Sequence, residues 1–153
     1  MRLVTMSQVS VAVGQTIFPT VRYTDARAAI AWLERAFGAS PHVVYDADDG
    51  TVAHAEVIIA GNMIMLGNTR DDDSSVRSPK QVNAVTGGIY VVLPNASAID
   101  ALHAQAAAAG AKIIRPPFDT DYGSHDFQAL DLEGYPWSFG TYKPETRNKN
   151  ERI

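Results

Sequence analysis

One pattern is written twice in this chain of 153 residues. The first copy runs from Ile17 to about Gly67, the second from about Gly87 to Tyr142. Each opens with an apolar strand, Phe18 to Tyr23 and Gly88 to Leu93. An Ala-rich helix follows and stops at Gly-Ala, at Gly38-Ala39 and at Gly110-Ala111. Strands joined at a tight turn close each copy, at Ala60-Gly61-Asn62 and at Glu133-Gly134-Tyr135. One helix covers only one face of the sheet in such a unit, so a second copy is expected as its partner. The repeat therefore predicts an α+β fold. Two tandem modules of the βαβββ type form curved half-sheets around a central cavity, and function should sit on the residues facing it. The boundaries read as a lead-in at 1–16, a first module at 17–67, a linker at 68–85, a second module at 86–142 and a tail at 143–153.

The first helix has Thr24 or Asp25 as its cap and a buried stripe of Ile30, Leu33 and Phe37, with Trp32 and Ala36 beside it. Gly38 supplies its left-handed stop. The second helix has Asn95 or Ser97 as cap and Ile99, Leu102, Ala106 and Ala109 as its packing face. Thr51 to Ile59 alternates as a strand, followed by Met63 to Leu66; Lys112 to Arg115 continues the second unit, and Phe127 to Asp131 and Trp137 to Tyr142 finish it. The stretch Asp71-Asp72-Asp73-Ser74-Ser75 reads as a solvated linker rather than a cation loop, because no formed ligand loop surrounds it.

The hydrophobic fraction of 46% and charged fraction of 20% suit an ordinary soluble globule. A net charge of −4 without a Lys/Arg-rich face argues against nucleic acid as a partner. Cysteine is absent, which removes thiol nucleophiles, disulfides and thiolate-bound zinc. No apolar run approaches the roughly 20 residues that span a bilayer, so no membrane partner is expected. Arg2 is not followed by an apolar secretion segment, which points to the cytoplasm, with Met6 as an alternative start.

Several segments carry a resemblance. Phe18-Pro19-Thr20-Val21-Arg22-Tyr23, His54-Ala55-Glu56, Tyr122-Gly123-Ser124-His125-Asp126-Phe127 and Asp131-Leu132-Glu133-Gly134-Tyr135-Pro136-Trp137-Ser138-Phe139-Gly140 resemble the vicinal-oxygen-chelate superfamily. That superfamily includes glyoxalase I, extradiol dioxygenases, and the fosfomycin and bleomycin resistance proteins. These segments look like its PhnB-like branch, and the resemblance covers roughly residues 17 to 142. The resemblance implies a glyoxalase-like fold, a small-molecule ligand and a homodimer. Metal-using members take His, Gln or Glu ligands from the first and last strand of each unit. The corresponding positions count to Phe18 and Met65 in the first unit and to Gly88 and Ser138 in the second. None of these can ligate a hard divalent ion, so no metal and no cofactor is expected.

Strand parity then selects the cavity-facing side chains. Phe18, Thr20 and Arg22 point in from the first strand, and His54 and Glu56 from the third. Tyr90 and Val92, then Phe127, Ala129 and Asp131, then Ser138 and Tyr142, point in from the second unit. His54 and Glu56 lie about 7 Å apart on one strand face, either as a base and its orienter or as a polar strand surface. Arg22 either binds an anionic ligand group or pairs with Glu56. His125 in its loop is a general base, a ligand contact or simply exposed. Trp137 and Phe139 have helix-side parity, while His42 and His103 read as surface residues. The expected ligand-binding set is Phe18, Arg22, Met65, Tyr90, Tyr122, His125, Phe127 and Ser138, with Met63 adding to the apolar lining. His54 and Glu56 are the candidate catalytic pair. Two functions are consistent with this set. One is metal-free capture of a small aromatic or anionic molecule. The other is enzymatic, either a cofactor-free isomerase or lyase using His54 or Glu56 as base or a metal-dependent lyase or dioxygenase.

Overall fold

The structure, a computed structural model, describes residues 14–72 and 76–145 together with the backbone of 3–5. The strands are β1 (Leu3–Thr5), β2 (Thr20–Tyr23), β3 (Ser40–Asp46), β4 (Val52–Ile59), β5 (Asn62–Asn68), β6 (Ile89–Val92), β7 (Lys112–Asp119), β8 (His125–Leu130) and β9 (Pro136–Gly140). The helices are α1 (Ala26–Phe37), α2 (Pro79–Val82) and α3 (Ala96–Ala108). They form two sheets, ordered β1-β3-β4-β5-β2 and β6-β9-β8-β7. In each sheet the module's first strand pairs parallel with its last, β2 with β5 and β6 with β9, and the other pairings are antiparallel. Each module is thus βαβββ, as the repeat predicts.

Three stretches differ in detail from the expectation. Ser40–Asp46 is the strand that completes the first module, and the sequence pattern did not single it out. The lead-in contributes β1, which pairs with β3 so that Leu3 lies opposite Tyr45. The linker holds α2, which is set by a capping box between Ser78 and Gln81 and by Pro79 at the helix start. Met6, residues 73–75 of the acidic stretch and residues 146–153 of the tail lie outside the described residues.

Local chemistry explains the element ends. The Asp25 carboxylate accepts from the Ala28 N–H at 2.9 Å and starts α1, and Asn95 does the same for α3 through Ala98 at 2.9 Å. Gly38 stops α1 at φ 66°, a conformation a Cβ disfavours. The stripe Ile30, Leu33 and Phe37 is buried, together with Trp32 and Ala36. Each such large side chain contributes roughly 1.5–3 kcal/mol on burial.

The two modules share one core. The Trp32 Nε1 of α1 donates to the Ala109 carbonyl after α3 at 3.1 Å. The Phe37 ring lies 5.2 Å from Trp137 and 4.9 Å from Phe139, both in the second sheet. A polar clasp adds to this. Glu133, in the turn before β9, accepts from the N–H groups of Thr24 and Asp25 at 2.8 and 3.0 Å and from the Ser78 hydroxyl at 2.6 Å. Its carboxylate therefore sits at the positive end of α1 and ties both modules to the linker. Burial works to raise the Glu133 pKa, but these hydrogen bonds outweigh it and hold the group below its ordinary value. The Tyr135 hydroxyl donates to the Arg22 carbonyl at 2.9 Å across the same joint.

Candidate functional site

Among the described residues, one face of each sheet is covered by a helix and the other is open. On the covered side lie Val21, Tyr23, Ala55, Val57 and Leu66 in the first module, and Trp137 and Phe139 in the second. Period-two alternation then puts Arg22, His54, Glu56 and Met65 on the first open face, and Tyr90 and Ser138 on the second. This matches the parity read from the first, third and last strands of the sequence.

On the first face, Glu56 is opposite Met65, and Met65 is opposite Thr20. The His54 Nε2 meets the Glu56 Oε1 at 3.3 Å, with the Tyr45 ring 6.1 Å from the imidazole. Phe18 is half-buried just ahead of β2, while Met63 is nearly closed off at 9% exposure. The Arg22–Glu56 pair does not form. The Arg22 Nη1 instead donates to the carbonyls of Ala53 and Asn68, at 3.4 Å each. Its guanidinium lies where a Cβ on Gly67 would stand, so glycine is what admits the side chain there. Burial and the charge of Arg70 pull the Arg22 pKa below its ordinary value, while Asp72 and Tyr135 oppose them.

On the second face, Tyr90 is opposite Ser138, and Ser138 is opposite Gln128. The Tyr90 hydroxyl donates to the Tyr142 carbonyl at 3.0 Å. Asp126 is 6% exposed and accepts a hydrogen bond from the Ser124 hydroxyl, which in turn accepts from the Tyr142 N–H at 2.9 Å. Tyr122, 65% exposed, stands edge-on to Tyr142 with ring centres 5.8 Å apart. Burial pushes the Tyr90 phenol up, and the charges of Asp126 and Tyr122 push the same way.

Two expected ligand contacts are elsewhere. Phe127 is fully buried, stacked 4.9 Å from Phe139 and 5.4 Å from the half-buried His103 of α3. Phe127 pairs with Phe139 and Ala129 with Trp137, so the parity of β8 is the reverse of that expected. Asp131 likewise is buried in the joint between modules and does not face a cavity. Asp126 and Gln128 take the open positions instead. A sequence signal for this exists: equal steps either side of Glu133 bring Phe127 opposite Phe139. His125 begins β8 and turns to the helix side, its Nδ1 2.6 Å from Asp119 and its Nε2 2.8 Å from Asp100 on α3. With both ring nitrogens engaged by carboxylates, it is neither a free base nor a contact on the open face. His42 is also not a plain surface residue; it sits at a bulge of β3 with its Nδ1 buried and unpaired.

A hollow of about 560 Å³ opens between Pro19–Val21, the linker and Gly88–Ile89, lined largely by valine and proline. None of the expected site residues lines it. Facing each other on the first and last strands of the modules are Thr20 with Met65 and Tyr90 with Ser138, two residues on from the counted Phe18 and Gly88. Hydroxyls, a phenol and a thioether do not fit a hard divalent ion, which needs imidazole or carboxylate donors. No helix among the described residues is long and apolar enough to cross a membrane.

Known structures share this architecture. TioX from Micromonospora sp. ML1 is 25% identical, with a TM-score of 0.66 over 87% of this chain and 100% of that one. The PhnB protein of Bacillus cereus is 18% identical, with a TM-score of 0.60 over 82% of this chain and 98% of that one. The fosfomycin resistance protein FosX of Listeria monocytogenes is 11% identical, with a TM-score of 0.60 over 86% and 92%. The last two likenesses show the fold alone. No functionally curated protein matches the chain. Residues 13–139 match the family model of the Glyoxalase/Bleomycin resistance protein/Dioxygenase superfamily, and the chain belongs to that superfamily.

Proposed function

We propose that the protein is a metal-free binding protein, acting as a homodimer in the cytoplasm, that captures a small aromatic or anionic molecule on its open sheet faces without breaking a bond. Sequestration of this kind is a route to antibiotic resistance. The donor set carries the reading: the positions that the resemblance counts as ligands are Phe18, Met65, Gly88 and Ser138, and the residues facing Met65 and Ser138 across the strand pairs are Thr20 and Tyr90. These groups suit apolar contact and single hydrogen bonds to an organic ligand. Arg22, held over Gly67 by two carbonyls, supplies a fixed cation for an anionic group.

The test is thermal shift of the purified protein. Saturating Zn²⁺, Ni²⁺, Mn²⁺ or Fe²⁺ is expected to leave Tm unchanged. A member of a panel of aromatic antibiotics and aromatic carboxylates, at about 100 times its Kd, stabilises by about 2.7 kcal/mol, a shift of several degrees. A metal shift of that size, or binding that survives both Met65→Ala and Arg22→Ala, sinks the reading.

One observation favours a second reading. The His54–Glu56 contact at 3.3 Å is the geometry of a base and its orienter on an open surface. A cofactor-free isomerase or lyase would then lose turnover in His54→Ala while ligand affinity stays within a few-fold.

A further inference from the structure

The two open faces carry opposite charges at equivalent places. Gly67 pairs with Arg22, two residues after the Thr20–Met65 pair, and Gly140 pairs with Val92, two residues after the Tyr90–Ser138 pair. Above Gly67 stands the Arg22 guanidinium; above Gly140 stand the Asp126 carboxylate and the Tyr90 hydroxyl, which a Cβ there would overlap. The structure thus reserves space at Gly140 for an acid and a phenol side by side.

Among the described residues, no cation pairs with Asp126, and its side chain has one hydrogen-bond partner, the Ser124 hydroxyl. Arg115, whose strand neighbours that of Asp126, is engaged elsewhere, its guanidinium 3.4 Å from the centre of the Phe118 ring. A carboxylate shielded to 6% exposure without a counter-charge is costly unless a partner arrives. One tyrosine hydroxyl stands beside it and two more tyrosines follow in sequence of contact. Tyr90 shares the space above Gly140 and bonds to the Tyr142 backbone, and Tyr122 stands edge-on to Tyr142. These residues stay well exposed, at 41%, 51% and 65% for Tyr90, Tyr142 and Tyr122. Aromatic faces beside a carboxylate are a binding chemistry for organic cations.

We infer that Tyr90, Tyr122, Tyr142 and Asp126 form a subsite for the ammonium group of an organic ligand. The subsite rests on the reading of the open faces as ligand surfaces and names what the second face selects. Rings supply the cation–π contact, Asp126 the charge, and Gly140 the room. The geometry favours a quaternary or primary ammonium over a metal, because a single carboxylate with phenols offers too few strong donors.

The experiment is an NMR titration of tyrosine-labelled protein with choline and with its neutral carbon analogue 3,3-dimethylbutan-1-ol. Choline is expected to shift Tyr90, Tyr122 and Tyr142 and to bind about tenfold more tightly than the alcohol. Asp126→Asn keeps an oxygen for the Ser124 hydroxyl and should abolish the preference. Tyr122→Ala removes an exposed ring without touching the core and should weaken choline several-fold. Equal affinity for the two probes, or an Asp126→Asn variant that still prefers choline, overturns the subsite. If choline moves no tyrosine while a neutral aromatic binds the open faces, the subsite fails and the capture reading stands. If no probe or panel member binds either face, both fail.

Discussion

Five hydrogen-bond donors converge on the side chain of Asp131. The N–H groups of Glu133, Gly134 and Tyr135 reach one oxygen at 3.0–3.1 Å. The Tyr23 hydroxyl and the Trp137 indole reach the other at 2.6 and 3.1 Å. This explains the Asp-x-Glu-Gly-x-x-Trp pattern in physical terms. Asp131 shapes the turn and Glu133 caps a helix of the other module. Trp137 fills the shared core, so the motif clasps the modules together. Burial raises the pKa of Asp131 above the usual carboxylate value, and the hydrogen bonds act against that rise. Asp131→Ala would strand several buried donors at once and should cost at least about 3 kcal/mol. Tyr23→Phe removes one donor and leaves the rest satisfied, so about 1 kcal/mol is expected. Urea unfolding at constant m reads both; equal small losses would refute the clasp.

At the level of elements, His125 joins three. It opens β8, contacts Asp119 at the end of β7 and contacts Asp100 on α3. Its backbone N–H also donates to the Thr141 hydroxyl at 3.0 Å. The hydrogen bonds to Asp100 and then Asp119 raise its pKa above the ordinary 6.5, against a smaller effect of burial. The folded protein then binds the proton more tightly than the unfolded chain. Its contribution to stability is present in full below about pH 6.5 and is lost as pH rises through the higher folded value. The Tm gap between the native chain and His125→Asn should therefore be widest near pH 5.5 and shrink toward pH 9. A gap constant across that range, or one unchanged by Asp100→Asn, would refute the tie. None of this was legible in the sequence, because Asp100 and His125 meet only once α3 packs on its sheet. What was legible depended on local rules. Caps at Asp25 and Asn95, the stop at Gly38, and the faces of β2, β4 and β9 follow from spacing alone. The face of β8 was misread because parity fixes alternation but not its phase. The phase comes from pairing across the turn at Glu133, which exchanges Phe127 and Ala129 for Asp126 and Gln128 on the open side.

For the whole molecule, the repeat leaves one face of each sheet without a helix. Each module's helix covers one sheet face, and the modules spend their remaining apolar surface on each other through Trp32, Phe37, Trp137 and Phe139. Among the described residues no helix covers the two open faces, and in the second module Ile114, Tyr122 and Tyr142 are all at least half exposed. A second copy is the proposed partner: the first face carries the Arg22 cation along with the His54–Glu56 pair, and the second carries the Asp126 carboxylate. In the proposed homodimer, opposed across a two-fold axis, the first face of one chain would meet the second face of its partner, and both sites would form twice. A ligand held there would touch an anion-binding group from one chain and the ammonium subsite from the other. The expected mass by light scattering is twice that of the chain, and Tm should rise with protein concentration. Ile114→Glu sets a charge in exposed apolar surface and should shift the population toward monomer, weakening ligand binding in proportion. A monomer at tens of micromolar that still binds ligand with full affinity would overturn the shared site.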